Sequence, residues 1–162
     1  MRYYVDMDYK IREIRKNEYP ILSEFLYEAI FIPEGMDKPP KSIIEQSELQ
    51  VYIEDFGKED DWCFVAEIKE KIIGAVWVRI MNHYGHIDDE TPSFAMSLYE
   101  EYRDLGIGTA LMGAMLQFLR EKGYKQASLS VQKVNYVVRM YRKAGFEVID
   151  ENEEEYIMVC RL

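Results

Sequence analysis

Hydrophobic and polar positions change period several times along the chain, and each change marks an element. Residues 1–8 read as an irregular tail, and Tyr9 to Ile14 alternates in the manner of a short strand. Leu22, Phe25, Leu26, Ala29 and Ile30 then recur at helical spacing; Asn17 stands where a cap would, and Pro20 falls in the first turn, where its missing N–H costs little. Ile32-Pro33-Glu34-Gly35 breaks that pattern and Pro39-Pro40 keeps the connection extended. Ser42-x-x-Glu45 has the letters of a capping box, which predicts a second helix running to about Ile53. Cys63 to Ile68 and Ile72 to Ile80 read as a hairpin about Lys69-Glu70-Lys71, although this turn carries neither the Asn nor the Gly that short hairpin turns favour. Beyond the irregular stretch Met81 to Thr91, Phe94, Met96 and Leu98 alternate with Ala95 and Ser97 as another strand. A long helix follows, with Leu111, Met112, Met115, Leu116 and Leu119 on one face and Gly123 as its stop. Gln126 to Val131 is the next strand. Asn135 and Gly145 bound a short helix from Tyr136 to Lys143, and two strands close a chain that reads as one domain over residues 1–162.

Chemistry enters where the Phe94–Leu98 strand meets the long helix, at Arg103-Asp104-Leu105-Gly106-Ile107-Gly108-Thr109. Two glycines let the backbone turn tightly, with N–H groups aimed outward at the positive end of the helix, which is how a phosphate is received. A dinucleotide fingerprint is excluded by Leu111 at the third glycine position and by the lack of an Asp or Glu ending the strand Gln126 to Val131. A P-loop is excluded because no Gly-Lys-Ser/Thr follows. Taken alone, Gly-x-Gly before a helix fits a plain tight turn as well as it fits an anion site.

The second motif, Asn135-x5-Tyr141-x3-Gly145-Phe146, follows the next strand. With Arg103-x-x-Gly106-x-Gly108 also present, the chain resembles the GNAT superfamily of acetyl-CoA-dependent N-acetyltransferases over essentially its whole length. The resemblance implies an α+β, three-layer fold: a mixed, mostly antiparallel sheet of about seven strands flanked by about four helices, with a splayed parallel pair at strands 4 and 5. It implies acetyl-CoA as co-substrate, without a metal, and direct transfer to a primary amine of a small molecule or peptide in a ternary complex. The backbone at Leu105, Gly106, Ile107, Gly108 and Thr109 would hold pyrophosphate with Arg103 near it, an N–H near Leu98 would polarise the thioester carbonyl, and Asn135 would contact the cofactor arm. Tyr141 is placed by the resemblance near the sulfur, as a donor to the departing thiolate; packing on the sheet would explain the same residue. For the acceptor pocket the resemblance points to the connection between the first two helices and to the segment flanking the central strand, hence to Tyr27, Phe31 and Tyr84. Glu90, immediately before that strand with Asp89 and His86 behind it, is the candidate general base; a water chain or an already neutral amine would serve as well. The family often forms dimers, so a homodimer is expected.

Composition narrows the partners. A net charge of −10 on 162 residues argues against nucleic acid. The longest apolar run, Ile72 to Val78, is too short to span a bilayer, and no secretory leader opens the chain, so no membrane partner and a cytoplasmic location are expected. Cys63 and Cys160 sit in strand-like runs without metal-ligand spacing and read as buried free thiols. Basic residues concentrate between Arg120 and Lys143, as a phosphorylated cofactor requires. Acid dominates elsewhere, in Glu59-Asp60-Asp61, Asp88-Asp89-Glu90 and the run from Glu151 to Glu155, which favours a cationic acceptor or marks solvated loops. Two other readings stay open, a non-catalytic acyl-CoA sensor and a partner-binding domain of the same fold.

Overall fold

The computed structural model describes residues 8–83 and 86–162. Seven strands form one sheet: β1 Lys10–Glu13, β2 Trp62–Ile68, β3 Lys71–Arg79, β4 Ser93–Leu98, β5 Gln126–Gln132, β6 Phe146–Glu151 and β7 Glu155–Arg161, in the spatial order β1-β2-β3-β4-β5-β7-β6. Every neighbouring pair is antiparallel except β4 and β5, which run parallel. The α-helices among the described residues are α1 Leu22–Glu28, α2 Ser47–Gln50, α3 Ile107–Lys122 and α4 Val138–Ala144. The fold class expected from the sequence is the one observed.

Strand alternation separates two cores. Val76 and Val78 face α3, whose Leu111, Met112, Met115, Leu116 and Leu119 are buried against them, while Ala75 and Trp77 point the other way and pack with Phe25 and Leu26 of α1. Cys63 and Cys160 are both buried and free.

Three local expectations are corrected. Asn17 caps nothing: a 3-10 turn covers Lys16–Ile21 with Arg15 at its entry, and the Glu18 carboxylate accepts the Arg15 N–H at 2.8 Å. Arg12 bridges that carboxylate to Glu67 of β2, which ties the entry to the sheet and fixes where the turn begins. The Ser42-x-x-Glu45 box is also absent. Residues Lys41–Glu45 form a 3-10 turn, Gln46 is extended, and the Gln50 side chain donates to the Ile44 carbonyl at 2.7 Å, so that carbonyl is satisfied without a continuous helix to Ile53. The hairpin pairs as expected but closes tighter than the letters suggest. Ile68 opposes Lys71, and Lys69 and Glu70 both take positive φ (48° and 66°), the backbone of a primed two-residue turn imposed by the strands that flank it.

Candidate active site

The site begins as a defect in the sheet. Ser93 and Ser128 are the one registered pair between β4 and β5, joined by a contact between their hydroxyls at 3.0 Å, and beyond it the strands part. Tyr99 N–H donates to Ile73 O on β3; N–H groups two residues apart leave a strand on the same edge, so those of Ala95 and Ser97 face β3 and those of Met96 and Leu98 face the gap. A cleft of about 1370 Å³ follows this parting.

At one end of the cleft the chain turns from β4 into α3. Asp104 and Gly106 supply the positive φ values, 62° and 85°. Gly106 O accepts from Ala110 N, so the N–H groups of Ile107, Gly108 and Thr109 precede the first intrahelical donor and lie at the positive end of the helix. Gly108 is helical, which corrects the expectation that both glycines make the turn: a methyl there would meet Met96, Leu98 and Met140 at 3.5 to 3.7 Å, ordinary contact. Arg139 and Lys143, one turn apart on α4, line the same end. Arg103 also reaches the cleft, but its donors are engaged by the Leu98 and Glu28 carbonyls (3.1 and 3.2 Å) and the Glu28 carboxylate (3.5 Å), so it braces β4 against the end of α1.

Tyr141, on α4, lines the cleft from the core side. It is buried, stacks edge-on against Phe146, and burial pushes its phenol up to about 12. Across from it stands Tyr52, whose hydroxyl pairs with Ser130 of β5 and is held protonated by burial and by the nearby Glu155 carboxylate. The Tyr52 backbone is firmly held. Trp77 Nε1 donates to its carbonyl at 3.0 Å, and the buried guanidinium of Arg79 binds the carbonyls of Val51 and Glu54 and both oxygens of buried Asp61. The His83 ring lies 5.4 Å from that of Tyr52; burial, with His86 adding to it, lowers its imidazole to about 4.

The expected residues sort as follows. Tyr27, Phe31, Leu98, Arg103, Gly106, Gly108, Thr109, Asn135 and Tyr141 all line the cleft. Tyr27 gives its hydroxyl to the Pro39 carbonyl and presents its ring; Asn135 accepts the Val137 N–H at 3.1 Å, an Asx turn that leads into α4. Leu105 is exposed and Ile107 is buried in the core, so those two could contribute only backbone. Glu90 is exposed in the loop before β4, with its N–H on Asp88, and does not line the cleft. Tyr84 lies outside the described residues. Sequence reasoning missed Tyr52, Ser130 and Glu155. The signal available for Glu155 was its place in the alternation Glu155, Ile157, Val159, opposite in facing to Tyr156, Met158 and Cys160.

The family described as the Acetyltransferase (GNAT) family matches residues 12–146. The chain is 27% identical over 115 residues to an N-alpha-acetyltransferase of Sulfurisphaera tokodaii, covering 61% of this chain and 68% of that protein. It is 30% identical over 90 residues to the probable N-acetyltransferase camello of Xenopus laevis, covering 54% of this chain but only 40% of camello. Among solved structures, the PaiA N-acetyltransferase of Thermoplasma acidophilum in complex with coenzyme A superposes with a TM-score of 0.66 at 22% identity, over 96% of this chain and 100% of that one, a likeness of fold. Among the described residues no helix is long and apolar enough to cross a membrane.

Proposed function

Because the chain belongs to the GNAT acetyltransferase family, we propose that it moves an acetyl group from acetyl-CoA to a primary amine, with both substrates bound at once. The observation that carries this reading is the parting of β4 from β5 beside the free N–H groups of α3, with Arg139 and Lys143 flanking them and Tyr141 buried between. That combination fits a long, phosphorylated acyl carrier. The N–H groups of Ile107, Gly108 and Thr109 and the two cations would hold its phosphates, and the edge of β4 would pair with its arm.

When bound, acetyl-CoA supplies an acyl group activated as a thioester. The protein's own part is to orient and polarise. The Leu98 N–H is aimed into the gap, and a donor fixed at that edge stabilises the oxygen on which charge develops. The Tyr141 hydroxyl, neutral throughout the physiological range, donates to sulfur as it departs. A phenol near 12 lies roughly 3.5 units above the usual thiol, so its contribution is a hydrogen bond that strengthens in the transition state rather than a completed proton transfer. Seven carboxylates and four basic side chains line the cleft, which supports a cationic acceptor.

The test is a thermal shift with acetyl-CoA followed by thiol release across a panel of amines. A ligand that binds only the folded protein stabilises it by about 2.7 kcal/mol at a hundredfold excess over its Kd, so a clear rise in Tm is expected with acetyl-CoA and none with acetate. No rise with acetyl-CoA would refute the reading.

A further inference from the structure

Glu155 opens β7 and stands opposite Gln132 of β5. Its backbone is pinned by Asn152, whose side-chain oxygen accepts the N–H groups of Glu154 and Glu155 (2.8 and 2.7 Å) and whose own N–H donates to the Glu155 carbonyl at 3.0 Å. In the acidic run that ends here, Glu151, Glu153 and Glu154 are exposed, and Glu155 alone is half-buried and lines the cleft. Lys133, which follows Gln132, is paired with Glu151 at 3.3 Å; among the described residues no ion pair joins Glu155. Its carboxylate helps to raise the Tyr52 phenol, Tyr52 helps to raise that of Tyr141, and all three residues line the one cleft.

We propose that Glu155 receives the ammonium of the acceptor and takes its proton, with Tyr52 and Ser130 as the positioning residues beside it. This rests on the acetyl-transfer reading and supplies the base that exposed Glu90 is not placed to be. The step is a single proton transfer. A proton passes from the ammonium nitrogen to a carboxylate oxygen, leaving a neutral amine with its lone pair and a carboxylic acid, which returns the proton to solvent after product leaves. Burial and the neighbouring Glu154 charge raise the Glu155 carboxyl above the ordinary glutamate value, the direction a base needs. The groups around it are Tyr52 from the turn after α2, Gln132 at the end of β5 with Lys133 just beyond it, Glu151 at the end of β6, and Asn152 and Glu154 from the turn before β7, with His83 behind Tyr52. His83, lowered to about 4, is a weaker base than an ordinary imidazole.

The test compares the wild type with Glu155→Gln and Glu153→Gln, using phenethylamine and an alanine-initiated tetrapeptide as acceptors, from mildly acidic to alkaline pH. Glu155→Gln is expected to lose about 100-fold in kcat/KM at neutral pH. The deficit should narrow once pH exceeds the amine's own pKa, because no proton then needs removing. Glu153→Gln should match the wild type, and acetyl-CoA should raise the Tm of all three proteins. A Glu155→Gln enzyme that matches the wild type across the profile overturns the proposal and leaves acetyl transfer standing, whereas failure of acetyl-CoA to stabilise the wild type removes the acetyl-transfer reading itself. Where neither amine reacts, carboxyl titration by carbon NMR decides. Phenethylammonium should lower the Glu155 midpoint and phenethyl alcohol should leave it in place; a midpoint that ignores the ammonium overturns the proposal.

Discussion

Residues 51–56 separate two polar centres built from similar parts and put to opposite uses. On one side Arg79 places its donors on two carbonyls and a buried carboxylate, and Arg79 and Asp61 are both almost wholly out of solvent. On the other side Tyr52, Ser130, Glu155 and Tyr141 meet at the cleft, where the carboxylate has no cation of its own among the described residues. The first centre is closed, so it can only hold the segment still. The second keeps binding capacity, and the first holds the segment that positions it. A buried charge is therefore not in itself a sign of chemistry; what matters is whether its partners are already supplied.

The strongest way to break this comparison is Arg79→Met. It leaves Asp61 buried without its counter-charge and two carbonyls without donors, and should cost about 3–5 kcal/mol in urea unfolding. Adding Asp61→Asn should recover part of that loss, because the orphaned charge goes with it. A loss under about 1 kcal/mol would mean that the segment is held by packing and the closed centre is incidental.

On the open side, Tyr141→Phe keeps the ring against Phe146 and deletes only the hydroxyl. It should lower kcat by about 100-fold, with acetyl-CoA affinity and unfolding midpoint nearly unchanged, since the lost interaction belongs to the transition state. If kcat stays within twofold while chemistry limits the rate, Tyr141 belongs with the packing residues.

The two glycines sharpen the comparison at lower cost. Gly106→Ala forces a left-handed backbone on an L-residue and should lose about 1–2 kcal/mol of stability. Gly108→Ala should stay within about 0.5 kcal/mol of the wild type, because its methyl meets only ordinary contacts, yet it should weaken acetyl-CoA binding by crowding the approach to the helix end. Equal stability losses in the two variants would contradict the division of roles between them.

Arg12, Glu18 and Glu67 give the surface counterpart of the closed centre. The Arg12 pair, with help from the Arg15 N–H, holds Glu18 down to about 2, well below its unfolded value. A depressed carboxyl contributes stability above its unfolded pKa and loses it as pH falls toward the folded one, so the contribution should fade between about pH 4.5 and 2. Solvent reaches the pair, and Glu18→Gln should cost no more than about 1 kcal/mol at neutral pH while flattening the acid limb of the stability curve.

Much of the frame was legible because its signals are local and repeated. The stripe along α3 and the alternation through β4 each repeat one rule over several residues, whereas Tyr141 was named by the family resemblance and not by any repeated pattern. Helix α2 misled because the Gln50 side chain, and not a helical N–H, satisfies Ile44. Lys69 and Glu70 hid a primed turn because strand pairing overrode their preference. Glu90 was chosen for nearness in sequence to a strand, but the loop turns it to solvent. Tyr52 carries no local signal, and the alternation through β7 gives only the face of Glu155; the sheet order is what brings the turn after α2 opposite β7.

The lone registered pair between β4 and β5 also sets how the molecule comes apart. Strands β1 to β4 are zipped by antiparallel ladders among themselves, as are β5, β7 and β6, and α3 packs beneath both banks. Each bank is then expected to open as its own cooperative unit. The amides of Met96 and Leu98, at the seam, should exchange with deuterated solvent without either ladder unzipping, well ahead of those in the middle of β3. A molecule that spans the seam fastens one bank to the other, and should slow exchange most in whichever bank opens more easily.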